Sequence, residues 1–171
     1  DIPIFNLKGY KGWAKIVNVY DGDTFRACVF KNNRVMKFTF RPLGYDAPEM
    51  KPRKDTPNRD HHIQQAKLAR QKFIELTGFI EPKKVEVKNT FINFFHSICC
   101  CCFADKSSDS LVYLECDKND KYGRVLVTVF KHPNDEYSIN TQMLASGLVN
   151  AYDGKTKSAF SFEETDPSNS V

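Results

Sequence analysis

The sequence predicts an α+β fold that is mainly β, and three observations support this prediction. Short apolar runs that alternate with polar residues and end at Gly, Asn or Asp recur along the chain, as in half-buried strands. Two segments have the apolar spacing and the end signals of helices. The length of 171 residues, with 41% hydrophobic and 27% charged residues, suits one globular domain and excludes a largely disordered chain.

The first element is a predicted three-stranded meander over residues 12–43. Turn-like residues at 21–23 and 31–33 separate its strands, and apolar side chains recur at every second position. The segment that follows contains four prolines, at positions 42, 48, 52 and 57. Because proline removes a backbone donor and fixes the backbone, we expect a loop there.

The later elements are two helices and further strands. Asn58 or Asp60 is expected to cap a helix that runs to about Thr77 and stops at Gly78, and a short helix runs from Ser138 or Ile139 to Ser146. Strands are predicted at 84–88, 111–116 and 123–130. This order fits an OB-type barrel of five strands with two capping helices. The expected divisions are an N-terminal extension (1–11), the barrel domain (12–152) and a polar tail (153–171).

Three polar motifs lie at predicted strand ends. They are Asp21-Gly-Asp23-Thr24, then Arg41-Pro-Leu-Gly-Tyr-Asp46-Ala47-Pro-Glu49, and Asp120-Lys121-Tyr122-Gly-Arg124. Taken singly, each is typical of a hairpin turn or a surface ion pair. Taken together, their carboxylates suit a hard cation and their two arginine forks suit a phosphate. The three motifs therefore predict a site for phosphoryl chemistry.

The same motifs carry a family resemblance. With the intervening helix and the later Asn140, Leu144, Gly147-Leu148 and Ala151-Tyr152, they resemble the staphylococcal nuclease-like (thermonuclease) family over about residues 12–152. The resemblance implies an OB-fold endonuclease that uses Ca²⁺ to hydrolyse DNA or RNA, leaving 5′-hydroxyl and 3′-phosphate ends. The ligand types alone suit any hard cation, so other divalent ions remain open.

Roles for the metal-binding residues follow from the resemblance. It implies that Asp23 and Asp46 bind the metal directly, together with the backbone carbonyl of Ala47, and that Asp21 acts from just outside these ligands. Ala47 stands where the family often has Thr, a change that a backbone ligand tolerates.

Roles in catalysis and substrate binding are also carried over from the family. Glu49 would position or deprotonate the attacking water, and Arg41 and Arg124 would bind the scissile phosphate and stabilise its transition state. The family's substrate-holding positions match Lys121, Tyr122 and Tyr152, which would bind phosphate or stack on a base of single-stranded DNA or RNA. Ordinary packing is the alternative for Tyr152.

An insertion at about 89–110 departs from the family pattern. It holds four consecutive cysteines, Cys99, Cys100, Cys101 and Cys102, and no CxxC pair with histidines at metal-ligand spacing, which argues against zinc. Lipidation of these cysteines would give a reversible membrane anchor. A hydrophobic partner patch and a buried extra hairpin are the alternatives. The extension is also expected to cover an open face of the barrel with Ile2, Ile4, Phe5 and Leu7.

The chain carries a net charge of +4, and residues 1–152 hold 23 basic and 17 acidic residues, an excess that favours a polyanionic partner. The longest apolar stretch is too short for a membrane helix and no signal-peptide pattern is present, so the compartment stays open; we expect a monomer. A non-catalytic OB module that binds nucleic acid or protein is the alternative class. It would not need the full set of acids and arginines.

Overall fold

The structure is a computed structural model, and it describes residues 6–81, 110–154 and 160. Its strands are β1 (Lys11–Asp21), β2 (Thr24–Lys31), β3 (Arg34–Pro42), β4 (Tyr45–Asp46), β5 (Leu111–Asn119), β6 (Val125–Phe130) and β7 (Asn150–Ala151). Its helices are α1 (Arg59–Thr77) and α2 (Ile139–Ala145). Neither helix is long and apolar enough to cross a membrane, a finding that covers these residues alone.

Five strands form a closed barrel in the order β1, β2, β3, β6, β5, and β5 returns to β1. Every pair in the barrel is antiparallel except β3 with β6, where Phe40 pairs in parallel with Val125. β4 and β7 form a separate two-stranded sheet. The prediction of a mainly β, five-stranded barrel with two helices is therefore confirmed. The predicted strand at 84–88, the insertion at 89–110 and most of the tail lie outside the described residues.

The predicted meander is confirmed, with its turns at the expected positions. Asp21 pairs with Thr24 across the first turn, and Lys31 pairs with Arg34 across the second. Asn32 and Asn33, the central residues of the second turn, both have positive φ, at 52° and 61°. Asn adopts this left-handed conformation more readily than most residues, and two such residues in succession give a turn whose twist matches the strands.

The barrel interior is filled by the inward-facing side chains of the five strands, and α1 covers one of its ends. Phe25 of β2 stacks on Phe40 of β3 with ring centroids 5.4 Å apart, and Phe73 of α1 packs on Phe25 at 5.3 Å. Ala66 and Ala69 are fully buried on the same helix. Their small side chains let α1 lie close to the strands.

The helix ends differ in how they are capped. Gly78 adopts the left-handed conformation that stops α1, and Ser138 caps α2 by accepting a hydrogen bond from the amide of Thr141 at 3.1 Å. Asn58 occupies the predicted cap position of α1, but it is also left-handed (φ 51°) and its side chain makes no capping hydrogen bond. Lys131 Nζ donates to the carbonyl of Thr77 at 2.9 Å, which ties the end of α1 to the barrel.

The N-terminal segment contributes to the core, as expected. Leu7 is fully buried, and the backbone that follows it pairs with β5: Gly9 N donates to Cys116 O at 2.9 Å, and Cys116 N donates to Tyr10 O at 2.8 Å. Ile2, Ile4 and Phe5 lie outside the described residues. The extension is thus anchored to the barrel by one buried side chain and two backbone hydrogen bonds.

Replacing Leu7 with Ala is expected to lower the free energy of unfolding by roughly 2 to 5 kcal/mol, because the lost side chain leaves a cavity in the core. Urea denaturation followed by circular dichroism measures the change. Leu68→Ala is the matched control, since Leu68 is 51% exposed on α1, and it should change stability by under about 0.5 kcal/mol. Equal effects of the two substitutions would contradict the anchoring role of Leu7.

Candidate active site

An open cleft of about 760 Å³ lies where the β1–β2 turn, the end of β3 and the loop before β6 meet. Seven residues predicted as site residues line it: Asp21, Asp23, Arg41, Ala47, Glu49, Tyr122 and Arg124. Tyr20, Thr24, Lys37, Phe38, Thr39, Met50, Lys51 and Gly123 complete the lining. The fold therefore brings the three motifs, which are far apart in sequence, to one cleft.

Arg41 is held between two carboxylates at the base of this cleft. Its Nη1 lies 2.7 Å from Asp23 Oδ2, and its Nη2 donates to Asp46 Oδ1 at 2.6 Å. The three residues are only 7%, 5% and 3% exposed. A charge buried to this extent requires opposite charge and well-aligned hydrogen bonds, and both are present here. The side chain of Arg41 is consequently fixed in orientation before any ligand arrives.

Asp23 accepts further hydrogen bonds that keep it ionised. The amide of Ala47 donates to Asp23 Oδ2 at 3.1 Å, and Thr24 Oγ donates to Asp23 Oδ1 at 2.9 Å. Burial alone would raise the pKa of Asp23, but the charge of Arg41 and these hydrogen bonds outweigh it and hold the pKa below its usual value. Asp23 is therefore an anion over the whole physiological pH range.

Asp21 behaves in the opposite way. Burial, followed by the negative charge of the neighbouring Asp23, raises the pKa of Asp21 from 3.8 to about 7. The Oδ1 atom of Asp21 also accepts a hydrogen bond from the amide of Asp23 at 3.1 Å, which closes the turn. Two carboxylates with opposed pKa shifts thus line the same cleft.

Arg124 is positioned by Asp120 and Thr24, residues to which the sequence had assigned no separate role. Arg124 Nε donates to Asp120 Oδ2 at 2.7 Å, and Arg124 Nη1 donates to Thr24 Oγ at 3.2 Å. Asp120 Oδ1 accepts the amides of Tyr122 and Arg124, both at 2.9 Å. An aspartate that bonds backbone amides two residues ahead is a common turn signal, so this role was detectable in the sequence. The second arginine is therefore also oriented by its neighbours.

Two tyrosines predicted to hold substrate lie beside the two arginines. The Tyr122 ring is 72% exposed and lies 5.5 Å from Arg124 Cζ and 5.1 Å from Lys121 Nζ. The half-buried Tyr152 ring lies 5.6 Å from Arg41 Cζ. Tyr152 is thus packed on the buried cation, whereas Tyr122 presents an open face to solvent.

Glu49 lies at the rim of the cleft. Ala47 and Pro48, directly before it, are buried, while Glu49 itself is exposed. A rigid, anchored backbone thus presents an accessible carboxylate to the cleft. The remaining predicted site residues, Cys99 to Cys102, lie outside the described residues.

Buried polar side chains hold the site's backbone, and the sequence had not identified their roles. Tyr45 is fully buried and donates from its hydroxyl to the carbonyl of Gly22 at 2.8 Å; burial raises its pKa well above 10. Asn140 of α2 accepts from the amide of Val129 at 2.9 Å and donates to the carbonyl of Leu43 at 2.8 Å. These bonds join the turn, the β3–β4 segment and α2 to one another.

Gly22 is required by close approach rather than by its backbone angle. A Cβ at this position would lie 2.9 Å from the Cβ of Ala47 and 3.0 Å from the Cβ of Ala69. The Asp-Gly-Asp turn therefore packs directly on the loop of Ala47 and on α1. This contact sets the spacing between Asp23 and the segment that carries Asp46 and Glu49.

No family model among those scanned matches this chain, and no curated protein searched matches it either.

Asp21→Asn is expected to stabilise the metal-free protein at pH 8 by roughly 1 to 3 kcal/mol. Because the pKa of Asp21 is raised in the folded state, the folded chain binds more protons than the unfolded chain between about pH 4 and pH 7. The stability of the wild type should therefore fall as pH rises through that window, and the Asn variant should lack this part of the fall. Urea unfolding in EDTA at pH 5 and pH 8 measures it. A variant that is less stable than the wild type at pH 8 would contradict the expectation that burial and the charge of Asp23 make the ionised Asp21 unfavourable in the folded state.

Gly22→Ala is expected to destabilise the fold by roughly 1 to 3 kcal/mol, because its Cβ would overlap two backbone-anchored alanines. Thermal unfolding measures the loss. In the double variant with Ala69→Gly, one of the two contacts is removed. The double variant should therefore be more stable than the sum of the two single losses predicts. A double variant whose loss equals that sum would show that the contact with the Ala69 side chain does not cause the destabilisation.

Proposed function

We propose that this protein is a metal-dependent nuclease of the staphylococcal nuclease-like type, built on an OB-fold barrel, that hydrolyses phosphodiester bonds of single-stranded DNA or RNA. The observation that carries the proposal is the composition of one cleft. Two oriented arginines, a pair of aspartates and an accessible glutamate line it together. A phosphate diester is the ligand whose charge and reaction require all of these groups.

The two arginines would bind the scissile phosphate. A guanidinium has five N–H donors, so Arg41 retains donors for phosphate oxygens while it is held by Asp23 and Asp46. Arg124 is held in the same way by Asp120 and Thr24. Donors that are already oriented stabilise the charge that develops on the phosphate without reorganisation at the moment of reaction.

The residues fit a hard cation, although they do not form a preformed cage. No three His, Cys, Asp or Glu side chains among residues 6–81 and 110–154 are grouped as a metal site. The donors at hand are oxygens: the carboxylates of Asp21 and Asp23 and the carbonyl of Ala47, with Asp46 shared with Arg41. The raised pKa of Asp21 supports this fit, since a cation would offset its repulsion with Asp23. A bound Ca²⁺ would withdraw charge from the phosphate oxygens.

Glu49 would act as general base. Its carboxylate takes one proton from the water that attacks phosphorus; the new bond is water oxygen to phosphorus, and the bond to the 5′ oxygen breaks. The 5′ oxygen leaves as an alcohol after protonation by solvent, and the phosphate stays on the 3′ end. Tyr122 and Lys121, on the loop that presents Arg124, would hold the adjacent nucleotide.

Glu49→Gln is expected to lower the cleavage rate of single-stranded DNA and RNA by about 10² to 10⁴-fold, because the amide cannot accept a proton. Release of a fluorophore from labelled oligonucleotides, with Ca²⁺, Mg²⁺ or EDTA, measures the rate. Activity should require a metal ion. Stability should be unchanged, since Glu49 is exposed.

Glu136→Gln is the matched control, because Glu136 is also exposed and does not line the cleft. Arg124→Ala tests the phosphate contact separately and should cost about 10² to 10³-fold. If the wild type binds oligonucleotides but cleaves neither DNA nor RNA with any metal, the nuclease proposal is wrong and the cleft is a binding site.

A further inference from the structure

A row of large apolar side chains crosses the outer face of the barrel at the level of the β2–β3 turn. We call it the outer aromatic row; it comprises Val35, Phe30, Trp13, Tyr113 and Phe130, on β3, β2, β1, β5 and β6 respectively. The pairs Phe30 with Val35, Trp13 with Tyr113, and Tyr113 with Phe130 are cross-strand partners. Trp13 and Phe30 are the residues next to the cross-strand partners Ala14 and Val29. The hydroxyl of Tyr10 contacts the backbone carbonyls of both Trp13 and Phe30.

The part of the row from Val35 to Trp13 is open to solvent. Trp13 is 42% exposed, Phe30 53% and Val35 44%. The ring of Tyr113 meets Trp13 edge-on at 5.9 Å, and that of His132 does so at 6.2 Å, so the indole is supported from the side. A contiguous exposed apolar surface of this kind marks a binding face rather than scattered surface residues.

The residues that flank the row are mainly basic. On one side of the row, Lys15 of β1 and Lys37 of β3 are both cross-strand partners of Cys28, and each lies one outward-facing position away from the row. On the other side, Lys31 pairs with Arg34 next to the β2–β3 turn. Lys11 is the fifth basic residue, and it is bonded to a flanking acid, Glu115, at 2.7 Å. Flat apolar rings bordered by cations are complementary to bases on a phosphate backbone, and each stacked base contributes about 1 to 3 kcal/mol.

The row continues from the candidate active site. Lys37 lines the cleft, and Val35 lies two residues before it on β3, which is about 7 Å along a strand. A basic and aromatic surface also suits an anionic lipid bilayer. The shared Lys37 favours nucleic acid, because a polynucleotide held in the cleft would pass Lys37 before it reached the row.

We propose that the outer aromatic row is a second binding surface for single-stranded nucleic acid, which stacks the bases of the strand segment that leaves the cleft. The proposal extends the nuclease function and rests on it for the identity of the strand. Binding to the row does not depend on cleavage, so the binding proposal and the nuclease proposal can fail separately. The expected consequence is a preference for oligonucleotides that are long enough to span the cleft and the row.

Trp13 is the single tryptophan of the chain, so its fluorescence reports directly on the row. In EDTA, which prevents cleavage, a 16-nucleotide oligothymidylate should quench this fluorescence, and a 3-nucleotide one should not. If the 3-nucleotide oligonucleotide quenched the fluorescence equally when the same fraction of protein was bound, the proposal that a strand fills the cleft before it reaches the row would be overturned.

Substitutions test the energy of stacking. Trp13→Thr and Phe30→Thr should each weaken binding of the fluorescein-labelled 16-mer by about 5 to 150-fold, the equivalent of one stacked base, and leave the 3-mer unchanged. Tyr137→Thr is the control, since Tyr137 is 58% exposed outside the row. Circular dichroism shows whether each variant is folded. Unchanged 16-mer affinity in folded Trp13→Thr and Phe30→Thr would overturn the proposal.

Two further outcomes separate the alternatives. A Trp13 response to vesicles of phosphatidylserine and phosphatidylcholine, with none to the 16-mer, would assign the row to a membrane and overturn the proposal. Quenching by the 16-mer in a protein that cleaves nothing would retain the row as a binding surface while the nuclease function fails.

Discussion

The ion pairs of Arg41 with Asp23 and Asp46 constrain the rest of the structure most strongly. These three residues come from the end of β3, the β1–β2 turn and β4, and each is at least nine-tenths buried. Leaving one charge of such a group unpaired costs about 3 to 5 kcal/mol, so the three segments must keep their relative positions. The same interaction that fixes these segments also orients the guanidinium that we propose binds phosphate. A substitution that shortens any of these three side chains is therefore expected to change both the stability of the fold and the properties of the site.

A layer of uncharged contacts supports the charged group from behind. Tyr45 bonds the Gly22 carbonyl, Gly22 packs without a side chain on Ala47, and Asn140 joins β6 to the carbonyl of Leu43. Each contact places backbone, rather than a flexible side chain, at a defined position. Burial, followed by the charge of Asp23, raises the pKa of Asp21, and this rigid frame keeps the carboxylate of Asp21 in that unfavourable position. Perturbed pKa values of this kind are common at functional sites.

Local signals in the sequence were sufficient for most of the fold. The Asn32-Asn33 turn, the stop at Gly78 and the start of α2 at Ser138 or Ile139 each depend on residues within a few positions, and each was predicted where the structure has it. The positions of the site residues on strand ends were predictable for the same reason. Their mutual contacts were not, because the pairing of Arg41 with Asp23 and of Arg124 with Thr24 depends on strand register. The outer aromatic row escaped prediction likewise, since Trp13 and Tyr113 meet only through the pairing of β1 with β5.

The parallel pairing of β3 with β6 determines when in folding the candidate active site can exist. Phe40 of β3 can pair with β6 only after Val125 has been synthesised and has reached it. Arg124 directly precedes β6, so the same pairing positions Arg124 at the cleft. Contacts between such distant residues form late, because a long loop must close before they contribute any stability. A nascent chain that has folded only its first hairpins holds Asp23 and Arg41 but not the second arginine. The cleft is therefore complete, with Asp23, Arg41 and Arg124 together, only once β3 and β6 pair and close the barrel.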